Sequence, residues 1–526
     1  MPSQRGIVAA GHPLTAEAAE HVLREGGNAF DAVIAAMAAA CVVEPVLASL
    51  GGGGFLLAHP VATPPRVYDF FVQTPRRRAA VDELDFYEIT ADFGPVTQAF
   101  HIGRGTVAVP GVVRGAFEIH RDLATMSMRD LLAPAVENAK RGVAVSDFQA
   151  YLFRVVEATF AATPASRAIF GHGADASPAD RDRPSGRLLG AGERLVQPEL
   201  ADTLETLAFE GPDLFYRGEI AAAMARDLAS GGQVAMEDLR AYTVERRAPL
   251  LRDHGGARLL TNPPPSSGGL LVAFGLALLE GSDLADHAPG SLAAVSLIAE
   301  VLAATVEARI EAQARDPSHR LHRETVLDAA LVARYRETVL DRARASRGTT
   351  QVSVIDAAGN LASLTLSNGE GSGYVVPGTG VVMNNMLGED DLNPGGFQRW
   401  STDTRLVSMM APSAVLWPDG RRIATGSGGS NRIRSAVLQV VANVLHHRLG
   451  CEAAVHAPRL HVEGEHLSIE GGHDVEQLAP LLERWPSHHV WPDRNLFFGG
   501  AHTVEGGPRG LDGAGDARRG GVCRMA

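Results

Sequence analysis

The chain of 526 residues contains little cysteine. Its three cysteines, Cys41, Cys451 and Cys523, lie far apart in the sequence. Disulfide frameworks and thiolate metal sites need several cysteines at close, regular spacings. The sequence therefore predicts neither of them, and the shortage of cysteine is compatible with a reducing compartment.

Long apolar runs are also missing. The longest one extends over the twelve residues from Ala32 to Val43 and ends at Glu44. A helix that spans a bilayer needs about 20 apolar residues. A signal peptide carries its apolar core nearer the start of the chain than a run that follows His21 and Arg24. We therefore expect a cytoplasmic protein without a membrane partner, or a periplasmic or secreted one if the start of the chain has been trimmed.

Positively charged residues are fewer than negatively charged ones. The chain has 48 Lys and Arg residues and 61 Asp and Glu residues, so its net charge is −13. Nucleic-acid binding depends on clustered cations, so we expect no nucleic-acid partner. The G-x-S-x-G, H-E-x-x-H, Walker A and dinucleotide-binding patterns are absent from the sequence. The histidine pairs at 446–447 and 488–489 are direct neighbours, whose side chains diverge on a helix or a strand. The sequence predicts no metal site and no cofactor.

Glycine is abundant, with 57 residues, and it separates the predicted elements of the first part of the chain. Thr15 and Asn28 stand at the N-cap positions of two predicted helices. The second of these helices is apolar on all sides, which places it in the interior. Four glycines at 51–54 then precede an apolar strand. Further on, an amphipathic helix is predicted from Leu270 to Glu280.

The sequence changes character at Thr349, where alternating β-branched residues predict strands. The glycine-rich segment from Gly426 to Ser430 leads into a helix with one apolar face. The last twenty residues are rich in Gly and Arg, and we expect them to form an irregular terminus.

A hairpin is predicted directly after residue 349. Val352 to Asp356 form one strand, residues 357–359 form the turn, and the return strand runs from Asn360 to Ser367. If Asp356 lies opposite Asn360, the same register places Thr349 opposite Ser367. Directly opposed residues have Cβ atoms about 5 Å apart. The register therefore brings two hydroxyl groups together, either as a structural Thr–Ser pair or as part of a site.

The second candidate component is the glycine segment that includes Gly428 and Gly429. Backbone N–H groups at the start of a helix can hold a developing negative charge. The same sequence is also compatible with an ordinary tight turn.

Together, the motifs resemble those of the γ-glutamyltransferase (glutathione hydrolase) family of N-terminal-nucleophile hydrolases. The resemblance extends over nearly the whole chain. It implies an α+β protein with a four-layer αββα sandwich, made as a precursor that cleaves itself. The motifs that carry it are GGNAFDAV at 26–33, VEPVLASLGGGGF at 43–55, VPGVV at 109–113, NPPPSSGG at 262–269, GTTQVSVIDAAGN at 348–360, MNN at 383–385 and TGSGGS at 425–430.

By this resemblance Thr349 is the nucleophile, and its hydroxyl first attacks the carbonyl of Gly348. The cut divides the chain into a large part, 1–348, and a small part, 349–526, which remain together as a heterodimer. The freed α-amine of Thr349 is then the general base for its own hydroxyl, because a terminal amine has a pKa near 8. Ser367 is implied to hydrogen-bond the nucleophile, and Gly428 and Gly429 are implied to form the oxyanion hole.

The residues of the implied glutamyl pocket depart from the family pattern. The family carries an Arg after an Asp-Phe pair, which grips the substrate α-carboxylate, and this position is Phe71 here. Met386 stands where the family has a polar residue. Of a family serine pair only Ser408 remains, because the next residue is Met409. A phenyl ring cannot replace the bidentate hydrogen bonds of a guanidinium.

Three residues remain to bind the polar part of a substrate. They are Asn368, which stands one position away from the family's Asn, and the acidic residues Glu389 and Asp390. An alternative grip on a substrate carboxylate could come from the three arginines at 76–78.

Three functions stay open from the sequence. The first is cleavage of γ-glutamyl amides such as glutathione, with transfer of the acyl group to water or to an amine. The second is an amidase of the cephalosporin-acylase type, with an apolar acyl pocket formed by Phe71, Met386 and Met409. The third is an inactive homologue that serves as a scaffold.

Overall fold

The computed structural model describes residues 4–92, 97–171, 187–315, 321–338, 342–343, 349–393 and 395–526. Gly348, the residue predicted to precede the cleavage point, lies outside these ranges. No helix within them is long and apolar enough to cross a membrane. The same residues contain no group of three or more His, Cys, Asp or Glu side chains that could hold a metal ion.

The described residues form both helices and strands. The helices are α1 (Pro13–Arg24), α2 (Ala29–Val43), α3 (Val112–Leu123), α4 (Met128–Arg141), α5 (Asp147–Val155), α6 (Glu157–Phe160), α7 (Pro164–Phe170), α8 (Pro198–Glu210), α9 (Asp213–Tyr216), α10 (Glu219–Leu228), α11 (Met236–Ala241), α12 (Gly268–Leu279), α13 (Leu292–Arg315), α14 (Arg323–Val326), α15 (Ala329–Thr338), α16 (Arg432–Leu445), α17 (Cys451–His456) and α18 (Ala479–Arg484). The strands are β1 (Gly6–Ala10), β2 (Gly53–His59), β3 (Arg66–Phe70), β4 (Tyr87–Asp92), β5 (Thr97–Ile102), β6 (Val143–Ala144), β7 (Arg194–Leu195), β8 (Glu245–Arg247), β9 (Leu250–His254), β10 (Ala257–Thr261), β11 (Arg342–Ala343), β12 (Thr350–Asp356), β13 (Leu361–Ser367), β14 (Val375–Val376), β15 (Val381–Val382), β16 (Ser413–Leu416), β17 (Arg422–Thr425), β18 (Ser427–Gly428), β19 (Leu460–Gly464), β20 (His466–Ile469), β21 (His488–Val490), β22 (Gly500–Ala501), β23 (Thr503–Gly507), β24 (Gly510–Ala514) and β25 (Val522–Met525).

Two large antiparallel sheets form the centre of the molecule. The first sheet has the order β25-β1-β12-β13-β2-β3-β8, and the second has the order β24-β23-β17-β16-β10-β9. Both sheets combine strands from before and after residue 349. The two sheets face each other, since β12 contacts β17 and β23.

Alternating residues of the first sheet pack into two different apolar cores. Val352 and Val354 face α1 and α2, whereas Ile355 and the residues at 7 and 9 face the second sheet. On its other side the second sheet is covered by α12 and α16. The layers are therefore helix, sheet, sheet and helix, as expected from burying both faces of two sheets. The predicted α+β class and αββα sandwich are confirmed.

The central helix α2 begins at the N-cap that the sequence predicts, Asn28. The Asn28 side chain accepts hydrogen bonds from the backbone N–H groups of Phe30 and Asp31, and the Asp31 carboxylate accepts one from the Asn28 N–H. This reciprocal pattern is a capping box. All fifteen residues of α2 are buried, which agrees with its apolar composition on every side.

Three local predictions are wrong. Helix α1 begins at Pro13 with His12 as its N-cap, so Thr15 lies inside the helix. Helix α12 is buried on all sides and is not amphipathic. The last twenty residues are not irregular: β24 pairs with β23, and β25 pairs with β1 at the edge of the first sheet. The pairing of β25 with a strand more than 500 residues earlier has no local sequence signal.

Candidate active site

The hairpin β12–β13 has the predicted register. Its pairs run from Thr350 opposite Leu366 to Ile355 opposite Leu361, and one further step places Thr349 opposite Ser367. Both of these side chains are at the buried end of the hairpin, with 3% exposure for Thr349 and 5% for Ser367. The two hydroxyl-bearing residues predicted from the sequence therefore lie side by side.

The glycine run at 51–54 lies directly against this end of the hairpin. Gly53 pairs with Ser367, and a Cβ atom on Gly52 would lie 2.4 Å from the Ser367 carbonyl oxygen. The Ser367 hydroxyl oxygen accepts a hydrogen bond of 3.1 Å from the Gly369 N–H. The absence of a side chain at Gly52 thus allows its backbone to approach Ser367 more closely than any side chain would permit.

The second glycine segment lies on the other side of Thr349. A Cβ atom on Gly428 would lie 1.8 Å from the Thr349 carbonyl oxygen. Gly429 follows in a left-handed conformation with φ of +123°, and α16 begins three residues later at Arg432. The structure therefore places the predicted oxyanion segment in contact with the predicted nucleophile, while the chemical role of the two glycines stays a prediction.

Arg519 is a component that the sequence analysis missed. It lies in the turn between β24 and β25, and its Nη1 atom donates a hydrogen bond of 3.1 Å to the Thr349 carbonyl oxygen. Burial lowers its pKa to about 10, so the guanidinium remains charged at neutral pH. A buried cation thus contacts the backbone of the predicted nucleophile.

Glu44, at the end of α2, is a second missed component. Its carboxylate accepts hydrogen bonds of 2.7 Å from the Thr15 and Thr350 hydroxyls. Burial raises the pKa of Glu44, and the charge of Arg519 acts in the opposite direction. The sequence does hold one signal for this residue, because Glu44 directly follows the apolar run of the buried helix, and a carboxylate that is buried there needs polar partners.

A row of polar side chains between the two sheets supports the strand that follows Thr349. The Gln351 amide donates to the hydroxyls of Ser353 and Ser363 at 3.1 and 3.0 Å. Its carbonyl oxygen accepts a hydrogen bond of 2.6 Å from Thr365. Because Ser363 also donates to the Thr425 carbonyl, this network connects the hairpin to the strand that leads into the glycine segment.

The predicted polar substrate residues lie beyond Ser367. Asn368 is fully buried, and neither polar atom of its side chain has a hydrogen-bond partner among the described residues. A Cβ atom on Gly369 would lie 2.2 Å from a carboxylate oxygen of Glu389, which places Glu389 near Asn368. Asp390 is exposed. Buried unpaired amide groups are uncommon in proteins, which makes Asn368 a candidate for binding a polar group of a ligand.

Asp391, next to the predicted residues, has a different position. Its carboxylate accepts hydrogen bonds of 2.8 and 2.9 Å from Ser430 and Asn431, which follow the glycine segment. Burial, reinforced by the nearby Glu463, raises the pKa of Asp391 to about 6. Asp391 therefore fixes the glycine segment to the loop that carries Glu389.

The three predicted apolar residues of the acyl pocket, Phe71, Met386 and Met409, are all buried, and they lie in the large apolar core that also contains α12 and α16. The Phe71 ring stacks on Phe55 with 5.4 Å between ring centroids. The Ser408 hydroxyl oxygen accepts a hydrogen bond from the Met410 N–H. The Ser408 backbone carbonyl oxygen accepts one from the N–H of Ser267, in the NPPPSSGG segment. The family-like serine is thus held by the backbone on both sides.

The cationic side chains near Phe71 already have acidic or carbonyl partners. Asp69 is bracketed by Arg247 at 2.9 Å and Arg405 at 3.3 Å. Among the arginines at 76–78, Arg76 pairs with Asp403, Arg77 pairs with Glu237, and Arg78 donates to the carbonyl oxygen of Trp400.

Comparisons with known proteins agree with the geometry. The family described as Gamma-glutamyltranspeptidase matches residues 15–525. The chain is 32% identical over 487 residues to the acylase ACY 1 proenzyme of a Pseudomonas species, strain SE83, covering 89% of this chain and 84% of that protein. It is 29% identical to the glutathione hydrolase proenzyme of Escherichia coli, covering 98% and 91% of the two chains. The crystal structure of cephalosporin acylase from Bacillus halodurans has a TM-score of 0.81 and 25% identity, covering 99% of this chain and 96% of that one.

Proposed function

The chain belongs to the γ-glutamyltranspeptidase family, and on this basis we propose that it is a self-processing amide hydrolase and acyltransferase with Thr349 as its nucleophile. The observation that carries the proposal is the junction at Thr349, where the hairpin register supplies Ser367 and the glycine segment lies against the Thr349 carbonyl. Curated relatives are named as proenzymes, which supports a precursor that is cut into two chains.

The proposed maturation uses the precursor's own hydroxyl. The Thr349 hydroxyl attacks the Gly348 carbonyl carbon, and the acyl group moves from nitrogen to oxygen to give an ester. This shift breaks the peptide bond and frees the α-amine of Thr349. Water then hydrolyses the ester and releases the carboxylate of Gly348 and the hydroxyl of Thr349. The products are the chains 1–348 and 349–526.

In the proposed catalytic cycle, the neutral α-amine takes the hydroxyl proton of Thr349 as its oxygen attacks the substrate carbonyl carbon. The N–H groups of Gly428 and Gly429 stabilise the negative charge on the carbonyl oxygen. The protonated amine then gives its proton to the leaving amine, and an acyl ester of Thr349 remains. Water or a second amine takes the acyl group and restores the hydroxyl.

The test of this chemistry is an intact mass spectrum of the purified protein. We expect two species, with the smaller one beginning at Thr349. Thr349→Ala should leave one uncut chain without amidase activity, whereas Thr349→Ser, which keeps a hydroxyl at the same place, should still be cut. Cleavage that continues in Thr349→Ala would rule out Thr349 as the nucleophile, and a stable uncut wild-type chain would favour the inactive scaffold.

The first candidate for the acyl donor is a γ-glutamyl amide such as glutathione. Glutathione hydrolase relatives cover nearly the whole chain. Glu389 and the unpaired amide of Asn368 could bind the amino and carboxylate groups of a glutamyl moiety.

The second candidate is an acyl amide without a glutamyl group. It is favoured by three buried apolar side chains, Phe71, Met386 and Met409, which stand where the family resemblance implies a carboxylate-binding Arg and polar residues. The acylase relatives named above support the same class of substrate.

The two candidates can be separated by comparing kcat/KM for a γ-glutamyl anilide and for glutaryl and aliphatic acyl anilides. If the pocket binds a glutamyl group, the first substrate should be preferred, and Phe71→Arg should raise its turnover further. If the pocket is an acylase pocket, the aliphatic or glutaryl anilide should be preferred, and Phe71→Arg should not rescue the glutamyl substrate. Thermal melting of Phe71→Arg shows whether the buried charge has unfolded the variant, and Phe71→Leu is its apolar control.

A further inference from the structure

Arg519 contacts both components of the proposed active site, the nucleophile residue Thr349 and the glycine segment. Its guanidinium donates to the Thr349 carbonyl oxygen at 3.1 Å. Cβ atoms on Gly428 and Gly429 would lie 3.1 and 3.2 Å from its Nη1 and Nη2 atoms. One buried cation therefore contacts the nucleophile residue and packs against the glycine segment.

The position of this guanidinium is fixed by the turn that carries it. Asp516 at the start of the turn accepts hydrogen bonds from the N–H groups of Ala501 and Arg518, and it pairs with Arg459 at 2.7 Å. Arg518 on the same turn is bound by Glu470. These buried ion pairs connect the turn to the body of the protein, so Arg519 cannot easily move away from Thr349.

We propose that Arg519 is a positioning residue that fixes the Thr349 backbone and, through its positive charge, keeps the α-amine of the cleaved Thr349 neutral at physiological pH. This inference rests on the proposed function, because the amine exists only after cleavage. The amine and the carbonyl that Arg519 binds belong to the same residue. A nearby cation disfavours protonation of an amine and lowers its pKa. An amine with a lower pKa is available as a base to a larger fraction of the enzyme molecules at neutral pH.

Other charged or titratable groups also lie around this end of the hairpin. Glu44 approaches it from α2 and His502 from the start of β23, Arg432 lies at the start of α16, and Glu389 lies on the substrate side. Burial lowers the pKa of His502 to about 4, so it is neutral in the range of interest. Glu44 opposes Arg519, and its titration must be separated experimentally from that of the amine.

The test compares the pH dependence of kcat/KM in cleaved wild-type enzyme, Arg519→Gln, Arg519→Lys and Arg524→Gln, with the acyl anilide that the wild type turns over. The acid limb of this profile reports the pKa of the free enzyme's base. Arg519→Gln should move the limb upward by about one pH unit, because a close unit charge has been removed. Arg519→Lys should move it by less. Arg524→Gln, which removes a cation of the same C-terminal segment that pairs with Glu20, should leave it unchanged.

Several results would overturn the proposal. An unchanged limb in Arg519→Gln would show that the charge does not act on the amine. Loss of the limb in Glu44→Gln would assign the titration to Glu44 instead. A further case is an Arg519→Gln variant that melts like wild type but is not cut. Cleavage of Arg519→Lys would then support the role of the charge. Absence of cleavage in both variants would contradict that role. A wild-type chain that never cleaves would reject the proposed function itself, and that result is read from the mass spectrum before any pH profile is measured.

Discussion

At the scale of single residues, the site requires a position without a side chain next to the nucleophile. Gly428 faces the Thr349 carbonyl oxygen so closely that a methyl group would lie 1.8 Å from it. The contact is to backbone at both ends, so neither partner can move away by a side-chain rotation. This is the reason that a glycine stands here, independent of any preference of the turn.

Gly428→Ala should therefore fold less stably and should not be cut. Overpacking of a buried position costs about 1–3 kcal/mol, and here it would also displace Thr349 from Ser367. The measurement is the cut fraction by intact mass together with a thermal melt. Gly450→Ala is the matched control, since a Cβ atom there would meet one atom within 4 Å, at 3.9 Å. Normal cleavage in Gly428→Ala would contradict the close contact.

Residue-scale prediction from the sequence succeeded where partners are close in the chain. Thr349 and Ser367 were placed together by the register of one hairpin, which its turn fixes. Arg519 and Glu44 were missed because their contacts depend on which distant strands become neighbours. The sequence predicts Thr15 as a helix cap, since a hydroxyl near a helix start usually has that role, but this hydroxyl donates a hydrogen bond to Glu44, 29 residues away.

At the scale of elements, strand β25 connects the end of the chain to the site. It pairs with β1, which in turn pairs with β12, the strand that follows Thr349. The turn that carries Arg519 directly precedes β25. The composition of this segment predicts an irregular end, because Gly is depleted in strands and the pairing with β1 has no local sequence signal.

Removal of residues 521–526 should slow or abolish self-cleavage, because the edge of the first sheet opens and the turn at Arg519 loses its anchor. We expect the cut fraction after a fixed incubation to fall by about tenfold or more, with a lower melting temperature. Arg524→Gln keeps the strand and removes its ion pairs with Glu17 and Glu20. Arg524 is partly exposed, and the buried Glu20 keeps its ion pair with Arg24, so this variant should be cut normally. Full cleavage of the truncated chain would show that β25 has no part in positioning the site.

At the scale of the whole molecule, the order of strands determines what happens after a cut before Thr349. In the first sheet, β1 lies between β25 and β12, and the hairpin β12–β13 lies between β1 and β2. In the second sheet, β9 and β10 from the first part of the chain extend the four strands from the last part. Each of the two proposed chains therefore contains only some of the strands of each sheet.

This interleaving predicts that the chains 1–348 and 349–526 form one inseparable unit once the precursor is cut. Separating them would expose the face of β12 that packs on α2 and would break the hydrogen bonds of β12 to β1, and burial of apolar surface contributes about 25 cal/mol per Å². The cut protein should elute as one species of unchanged size at high dilution and should yield two bands only under denaturing conditions. The chain 349–526 expressed alone should not fold, because its strands lack their central neighbours. A cut protein that separates on dilution, or an isolated small chain with a cooperative melt, would mean that the two parts are independent domains and that the shared sheets do not hold them together.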